Sequence, residues 1–88
     1  MMLQASQFVH RELEKIYLGL HSASIPAALA GRCQRLLDDI ESATKPDDTD
    51  ILGNGYKVSG SVHSLDVNGV RRINYEWRSG QAADIDYV

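Results

Sequence analysis

The sequence has only one cysteine, Cys33, and no apolar run near the roughly 20 residues that a membrane-spanning helix needs. A lone cysteine cannot form a disulfide within the chain, which fits a reducing compartment. The amino terminus carries neither a basic region nor a long apolar core, so we expect no secretory signal and a cytoplasmic protein.

The chain also has no excess of positive charge, because its formal net charge is −3. Proteins that grip nucleic acid through its phosphates normally carry a basic excess. The charge balance therefore counts against a free-standing RNA-binding protein.

Motifs of several enzyme classes are missing, including the phosphate-binding loop, the nucleophile elbow and the usual spacings of metal ligands. His10 and His21 are eleven residues apart, so we expect no shared metal ion. Asp47, Asp48 and Asp50 lie in a proline-containing stretch that fits a solvated loop better than a metal site. We therefore expect neither a metal nor another cofactor.

Two amphipathic helices are predicted in the first half of the chain. Apolar residues at helical spacing form a first stripe of Val9, Leu13, Ile16, Tyr17 and Leu20. Pro26 suits the start of a second helix, whose stripe contains Leu29, Cys33, Leu36, Leu37 and Ile40. Because Cys33 falls within this stripe, a packed thiol is favoured over a reactive one.

Strand patterns fill the second half. Residues 62–67, 70–77 and 82–88 are rich in alternating, β-branched and aromatic residues, and Asn68-Gly69 is a strong hairpin signal. Short extra strands are expected at residues 2–6 and 56–59. We predict a single α+β domain over residues 1–88, with two helices packed on a small antiparallel sheet.

The Asn68-Gly69 hairpin places the candidate site residues. A two-residue turn would pair Leu65 with Arg72 and His63 with Asn74. His63 and Arg72 would then share the open face of the sheet, with Lys57 near them. An arginine can clamp a phosphate and a histidine can shuttle a proton near neutral pH, so the set could handle a phosphate.

The opposite face of this hairpin is predicted to pack on the helices, and it carries Val62, Ile73, Tyr75 and Trp77. There is an alternative to the phosphate-handling interpretation, in which Arg72 pairs with a carboxylate on the neighbouring strand. The residue pattern alone favours this alternative.

Several segments of the chain resemble, in order, those of one known family. They are Phe8-Val9-His10-Arg11-Glu12-Leu13, the helix and acidic loop of residues 32–48, Gly55-Tyr56-Lys57-Val58, the block Val67-Asn68-Gly69-Val70-Arg71-Arg72-Ile73-Asn74-Tyr75-Glu76-Trp77, and a tail with Gly80, Ala82, Asp84, Ile85, Asp86 and Tyr87. The ordered set resembles the HigB-type (host inhibition of growth) toxins of the RelE/ParE superfamily.

This resemblance implies a RelE/HigB-like fold and a toxin of a toxin–antitoxin pair. Such toxins bind a cognate antitoxin protein and typically cleave mRNA on the ribosome without a metal ion. Related ParE proteins keep the fold but inhibit DNA gyrase, so the fold does not settle the function.

The sequence departs from the family pattern at the residues that carry the chemistry. The segment between the second and third strands is about six residues shorter than usual and lacks the His-Pro-Leu-Lys-Gly type motif. The sequence ends at Val88 without the family's terminal Asp-Tyr-His, and Arg71 replaces a tryptophan. Only Arg72 carries over as a catalytic residue, with His63 and Lys57 as candidate substitutes.

Two functions therefore follow from the sequence. The first is a HigB-like mRNA endoribonuclease toxin with an impaired site. The second is a non-catalytic RelE-fold protein, a phage-encoded inhibitor or a degenerate toxin, that blocks a macromolecular target.

Overall fold

The computed structural model describes residues 2–88 and contains two helices followed by a four-stranded sheet. The helices are α1 (Arg11–Tyr17) and α2 (Ala27–Ser42), and the strands are β1 (Lys57–Ser59), β2 (Val62–Asp66), β3 (Arg72–Arg78) and β4 (Gln81–Tyr87). The strands pair antiparallel in the order β1-β2-β3-β4. The predicted α+β architecture, with both helices ahead of an antiparallel sheet, is confirmed.

Two short 3₁₀ turns, Ala5–Gln7 and Pro46–Thr49, precede α1 and β1. The strand expected at residues 2–6 is therefore wrong. The Gln7 side chain explains the turn, because its Oε1 accepts from the Gln4 backbone at 2.6 Å. Its Nε2 also donates to the Ala82 carbonyl at 2.9 Å, which fixes the turn on β4.

Within residues 2–88, no helix has the length and apolarity needed to span a bilayer.

Helix α1 is shorter than its apolar stripe. The His10 ring caps its first turn, with Nδ1 accepting from the Leu13 backbone at 3.1 Å. The helix ends at Tyr17, and Gly19 then adopts a φ of 79°. Leu13 is buried, but Val9 and Leu20, at the two ends of the stripe, are more than half exposed. Their predicted burial is wrong because they lie outside the helix.

Helix α2 supplies much of the core. Cys33, Leu36 and Leu37 are fully buried, and Ile40 is nearly so. Burial also raises the pKa of the Cys33 thiol, because the thiolate would lose its hydration. The prediction of a packed thiol is confirmed. The core is completed by residues of the sheet and the connecting segments, notably Leu3, Ile25, Leu65, Ile73, Tyr75, Ile85 and Tyr87.

The hairpin between β2 and β3 has a three-residue loop, residues 68–70, and not the predicted two-residue turn. The Val67 backbone donates to the Arg71 carbonyl at 2.9 Å and closes the loop. Within it, Asp66 Oδ1 accepts from the Gly69 backbone, and Asn68 Oδ1 accepts from the backbones of Val70 and Arg71. The Asp66 and Asn68 side chains thus accept from three backbone N–H groups of the hairpin and stabilise the three-residue loop. The Asn-Gly dipeptide alone did not indicate this loop length.

The longer loop shifts the strand register by one residue. His63 pairs with Tyr75, Leu65 with Ile73, and Asp66 with Arg72. A one-residue shift exchanges the two faces of a strand. As a result Val62, predicted to face the helices, lies on the open face, while Ile73 and Tyr75 point into the core as predicted.

Strand β4 contains a bulge opposite Tyr75. Asn74 pairs with Asp86 and Glu76 pairs with Ala83, so one residue of β3 faces two residues of β4. Asp84 is the extra residue, and its φ of 50° is accommodated by the bulge. Ile85 stays buried beyond it, where its carbonyl accepts from the Val9 backbone at 2.8 Å.

We expect Leu36→Ala to lower the free energy of unfolding by about 2–5 kcal/mol, because a fully buried side chain leaves a cavity. Leu52→Ala is the matched control, since Leu52 is 100% exposed. Its effect should stay within about 0.5 kcal/mol. Urea denaturation of both variants measures the difference, and similar losses in both would contradict the packing described.

Candidate functional site

The structure separates His63 from Arg72. The His63 ring lies on the helix-facing side, stacked between two tyrosines, with ring centroids 5.3 Å from Tyr75 and 6.0 Å from Tyr56. Its Nδ1 is 2.8 Å from the Tyr56 hydroxyl. Arg72 pairs with Asp66 on the other side of the sheet. The prediction that His63 and Arg72 share one face is wrong, because it depended on the shorter hairpin loop.

The Arg72 guanidinium is held by β2 and by the turn before β1. Its Nε donates to Ser64 Oγ, and its Nη2 donates to the Gly55 carbonyl at 2.5 Å and to the Ser64 carbonyl at 3.3 Å. Its Nη1 lies 3.6 Å from Asp66 Oδ1. The alternative interpretation, a pairing of Arg72 with a carboxylate on the neighbouring strand, is confirmed.

Lys57 lies on the same face of the sheet as Arg72. In β1 it pairs with Ser64, whose hydroxyl and carbonyl both accept from Arg72. Its side chain is exposed. Of the three candidate residues, the structure therefore brings Lys57 and Arg72 to one face and leaves His63 on the other.

Sequence reasoning missed a cluster of three arginines around the turn of residues 53–55. Arg32 Nη2, from α2, donates to the Gly53 carbonyl at 2.7 Å and to the Asp66 carbonyl at 2.8 Å. Arg35 Nη2, one turn further along α2, donates to Asn54 Oδ1 at 3.2 Å. Arg72 reaches the same turn from β3. Three guanidinium groups, two from α2 and one from β3, thus donate to a single turn.

Asn54 is the centre of this turn and is fully buried. Its Nδ2 donates to Asp39 Oδ2 at 2.9 Å and to the Thr49 carbonyl at 3.2 Å. Its carbonyl accepts from the Asp66 backbone at 2.8 Å, at the end of β2. Gly-Asn-Gly predicts a turn, but nothing in that signal identifies partners up to 19 residues away.

Gly55 is required where the turn enters β1. Its φ is 60°, and a Cβ atom there would lie 2.7 Å from the Asp66 Cβ. Both the left-handed backbone and the close approach to β2 exclude a larger residue. The glycine therefore keeps its own carbonyl in reach of Arg72.

This arginine cluster has a limited chemistry. Its guanidinium groups donate to carbonyls, to Ser64 Oγ and to Asn54, while Asp39 and Asp66 add compensating negative charge nearby. His63 is on the opposite face and cannot act there as a base. Among residues 2–88, no three metal-binding side chains group together. The arrangement is suited to fixing the structure and to presenting positive charge.

Comparison of the sequence with models of known protein families gave no match, and comparison with curated proteins gave no significant match. The resemblance to HigB-type toxins therefore rests on the ordered segments of the chain itself.

Asn54→Ala should lower the free energy of unfolding by about 2–4 kcal/mol, because it removes a fully buried amide that bonds to α2 and leaves the buried Thr49 carbonyl without this donor. Asn68→Ala is the control, because Asn68 accepts its two hydrogen bonds in an exposed loop. It should cost about 1 kcal/mol or less. Chemical denaturation decides, and a larger loss for Asn68→Ala would contradict the central place of Asn54.

We expect the folded protein to lose stability at alkaline pH because of Tyr75. Its hydroxyl donates to the Pro46 carbonyl at 2.7 Å and lies 2.5 Å from Thr49 Oγ1. Burial raises the pKa of Tyr75 to about 12, so the neutral phenol is favoured in the folded state. Its contribution is full below the unfolded value of about 10 and is lost as the pH rises toward 12.

Denaturation between pH 9 and 11.5, with tyrosinate absorbance at 295 nm, tests this expectation. Tyr75→Phe should flatten the fall in stability and remove the last phenol to ionise. The pKa of Tyr56 is also raised, through burial first, so Tyr56→Phe is a suitable comparison. If the tyrosinate transition at the highest pH persists in Tyr75→Phe, that transition belongs to another tyrosine.

Proposed function

We propose that this chain is a HigB/RelE-like toxin-family protein that acts by binding and blocking a protein partner, and not by cutting RNA. The resemblance of its ordered segments to the family supports the ancestry, as does the arrangement of two helices ahead of an antiparallel sheet. The observation that carries the non-catalytic mechanism is the placement of His63 and Arg72 on opposite faces of that sheet.

Cleavage of RNA by acid–base chemistry needs a proton acceptor at hydrogen-bond distance from the attacking hydroxyl, and a positive group at the phosphate. His63 is bonded to the Tyr56 hydroxyl on the helix-facing side. Arg72 donates from Nε and Nη2 to protein acceptors. Releasing Arg72 for a phosphate would break contacts that join β3 to β2 and to the turn before β1, and each such contact is worth about 1 kcal/mol.

The charge of the chain also favours a protein partner. A net charge of −3 opposes approach to ribosomal RNA, whose phosphates repel an acidic surface. In a toxin–antitoxin pair, the cognate antitoxin would be a second protein partner. Binding of the target protein and binding of the antitoxin both require a folded surface, and neither requires a catalytic site.

A weakened endoribonuclease is the second candidate, and the position of Lys57 favours it. Lys57 and Arg72 flank Ser64 on one open face, where two cations could hold a phosphate without a metal ion. In that case Lys57 and Arg72 would stabilise the cleaved phosphate, and His63 would take no part.

Inducible expression in bacterial cells separates these candidates. Under the proposal, the wild-type chain slows growth relative to an empty vector, and primer extension finds no new 5′ ends in mRNA. Lys57→Ala and His63→Gln should keep the growth effect within about twofold, because neither residue carries a reaction. His63→Gln retains a group able to bond the Tyr56 hydroxyl.

New mRNA ends that disappear in Lys57→Ala would establish the endoribonuclease and reject the binding mechanism. Harmless expression of a folded, soluble chain would reject both. Circular dichroism of each purified variant confirms that loss of effect is not loss of fold.

A further inference from the structure

A cleft of about 500 Å³ opens at the end of the molecule where α2 ends and β3 turns into β4. Ile40 and Glu41 line it from α2, and Trp77 and Ala82 line it from the hairpin. Arg72 lies at the opposite end of β3, so the cleft is separate from the arginine cluster. Its volume is within the range of about 300–1,000 Å³ that is usual for ligand pockets.

The cleft has an anionic character. None of the described residues that line it is a lysine, an arginine or a histidine. Glu41 Oε1 accepts from the Tyr17 hydroxyl at 2.5 Å, which fixes the carboxylate while Oε2 has no such partner in the described contacts. Helix α2 has 16 residues and no basic residue in its last turn, so no cation of that turn offsets the negative end of the helix beside the cleft.

The cleft also has an aromatic wall. Trp77 is the only tryptophan of the chain and is partly exposed, although its ring packs against the core. An indole face attracts cations more strongly than any other side-chain ring, and a guanidinium stacks on it particularly well. Ile40 and Ala82 are buried apolar neighbours that could contact an aliphatic stem.

We propose that this cleft binds an arginine side chain of a protein partner. The guanidinium stacks on Trp77 and pairs with the free oxygen of Glu41, while the methylene stem lies against Ile40 and Ala82. This inference goes beyond the proposed function, because it assigns the chemistry of a contact at the other end of the sheet. It stands whether or not the chain slows growth.

The fluorescence of Trp77 can report binding in the cleft directly. We expect the peptide acetyl-Ala-Arg-Ala-amide to change Trp77 fluorescence saturably at low salt, with a Kd on the order of 1 mM for a single side chain. The same peptide with citrulline keeps the shape but removes the charge, and it should bind at least about tenfold more weakly. Equal binding of the two peptides, or no saturable change with the arginine peptide, would overturn the proposal.

Two variants locate the contact. Glu41→Gln keeps an acceptor for Tyr17 but removes the charge, and it should weaken arginine-peptide binding roughly tenfold. Asp50→Asn removes the same charge from an exposed residue outside the cleft, and it should change the Kd less than about twofold. Equal losses would mean a general charge effect and reject the site. If Glu41→Gln fails to fold, the comparison of the two peptides on the wild-type chain still decides.

Discussion

The buried amide of Asn54 ties together parts of the chain that no continuous hydrophobic stripe connects. Its side chain bonds to Arg35 and Asp39 of α2 and to the Thr49 carbonyl of the Pro46–Thr49 turn. The backbone carbonyl of Asn54 accepts from the Asp66 backbone at the end of β2. A buried amide without partners is costly, so these elements can pack only in the arrangement that satisfies it. Asn54 therefore joins the turn before β1 to α2 through its side chain and to the end of β2 through its backbone carbonyl, next to the Gly55 carbonyl that accepts from Arg72.

A difference of one residue in a loop decides which side chains share a face of the sheet. With a two-residue turn, His63 and Arg72 would lie on one face of the sheet. With the three-residue loop, His63 joins a stack of aromatic rings above the core, and Arg72 becomes a structural anchor. The hydrogen bonds that Asp66 and Asn68 accept from the loop backbone therefore help to set which neighbours His63 and Arg72 have.

The parts of this fold that follow from periodicity could be read from the sequence. The stripe of α2, the packed thiol of Cys33 and the inward placement of Ile73 and Tyr75 all follow from regular spacing of apolar residues. The loop length, the His10 cap and the Asn54 contacts could not, because each depends on which hydrogen-bond partners a polar side chain takes in the folded chain. The candidate site belongs to this second class, since its geometry is set by hydrogen bonds between distant residues.

The bulge at Asp84 has a consequence for the length of β4. Ala82, Ile85 and Tyr87 all face the core, which strict alternation would not allow if Asp84 were an ordinary strand residue. Removal of Asp84 would restore regular alternation without turning any of these three side chains outward. Asp84 is thus an inserted residue that the core does not need, and it places a carboxylate 2.8 Å from Arg78 on the open face.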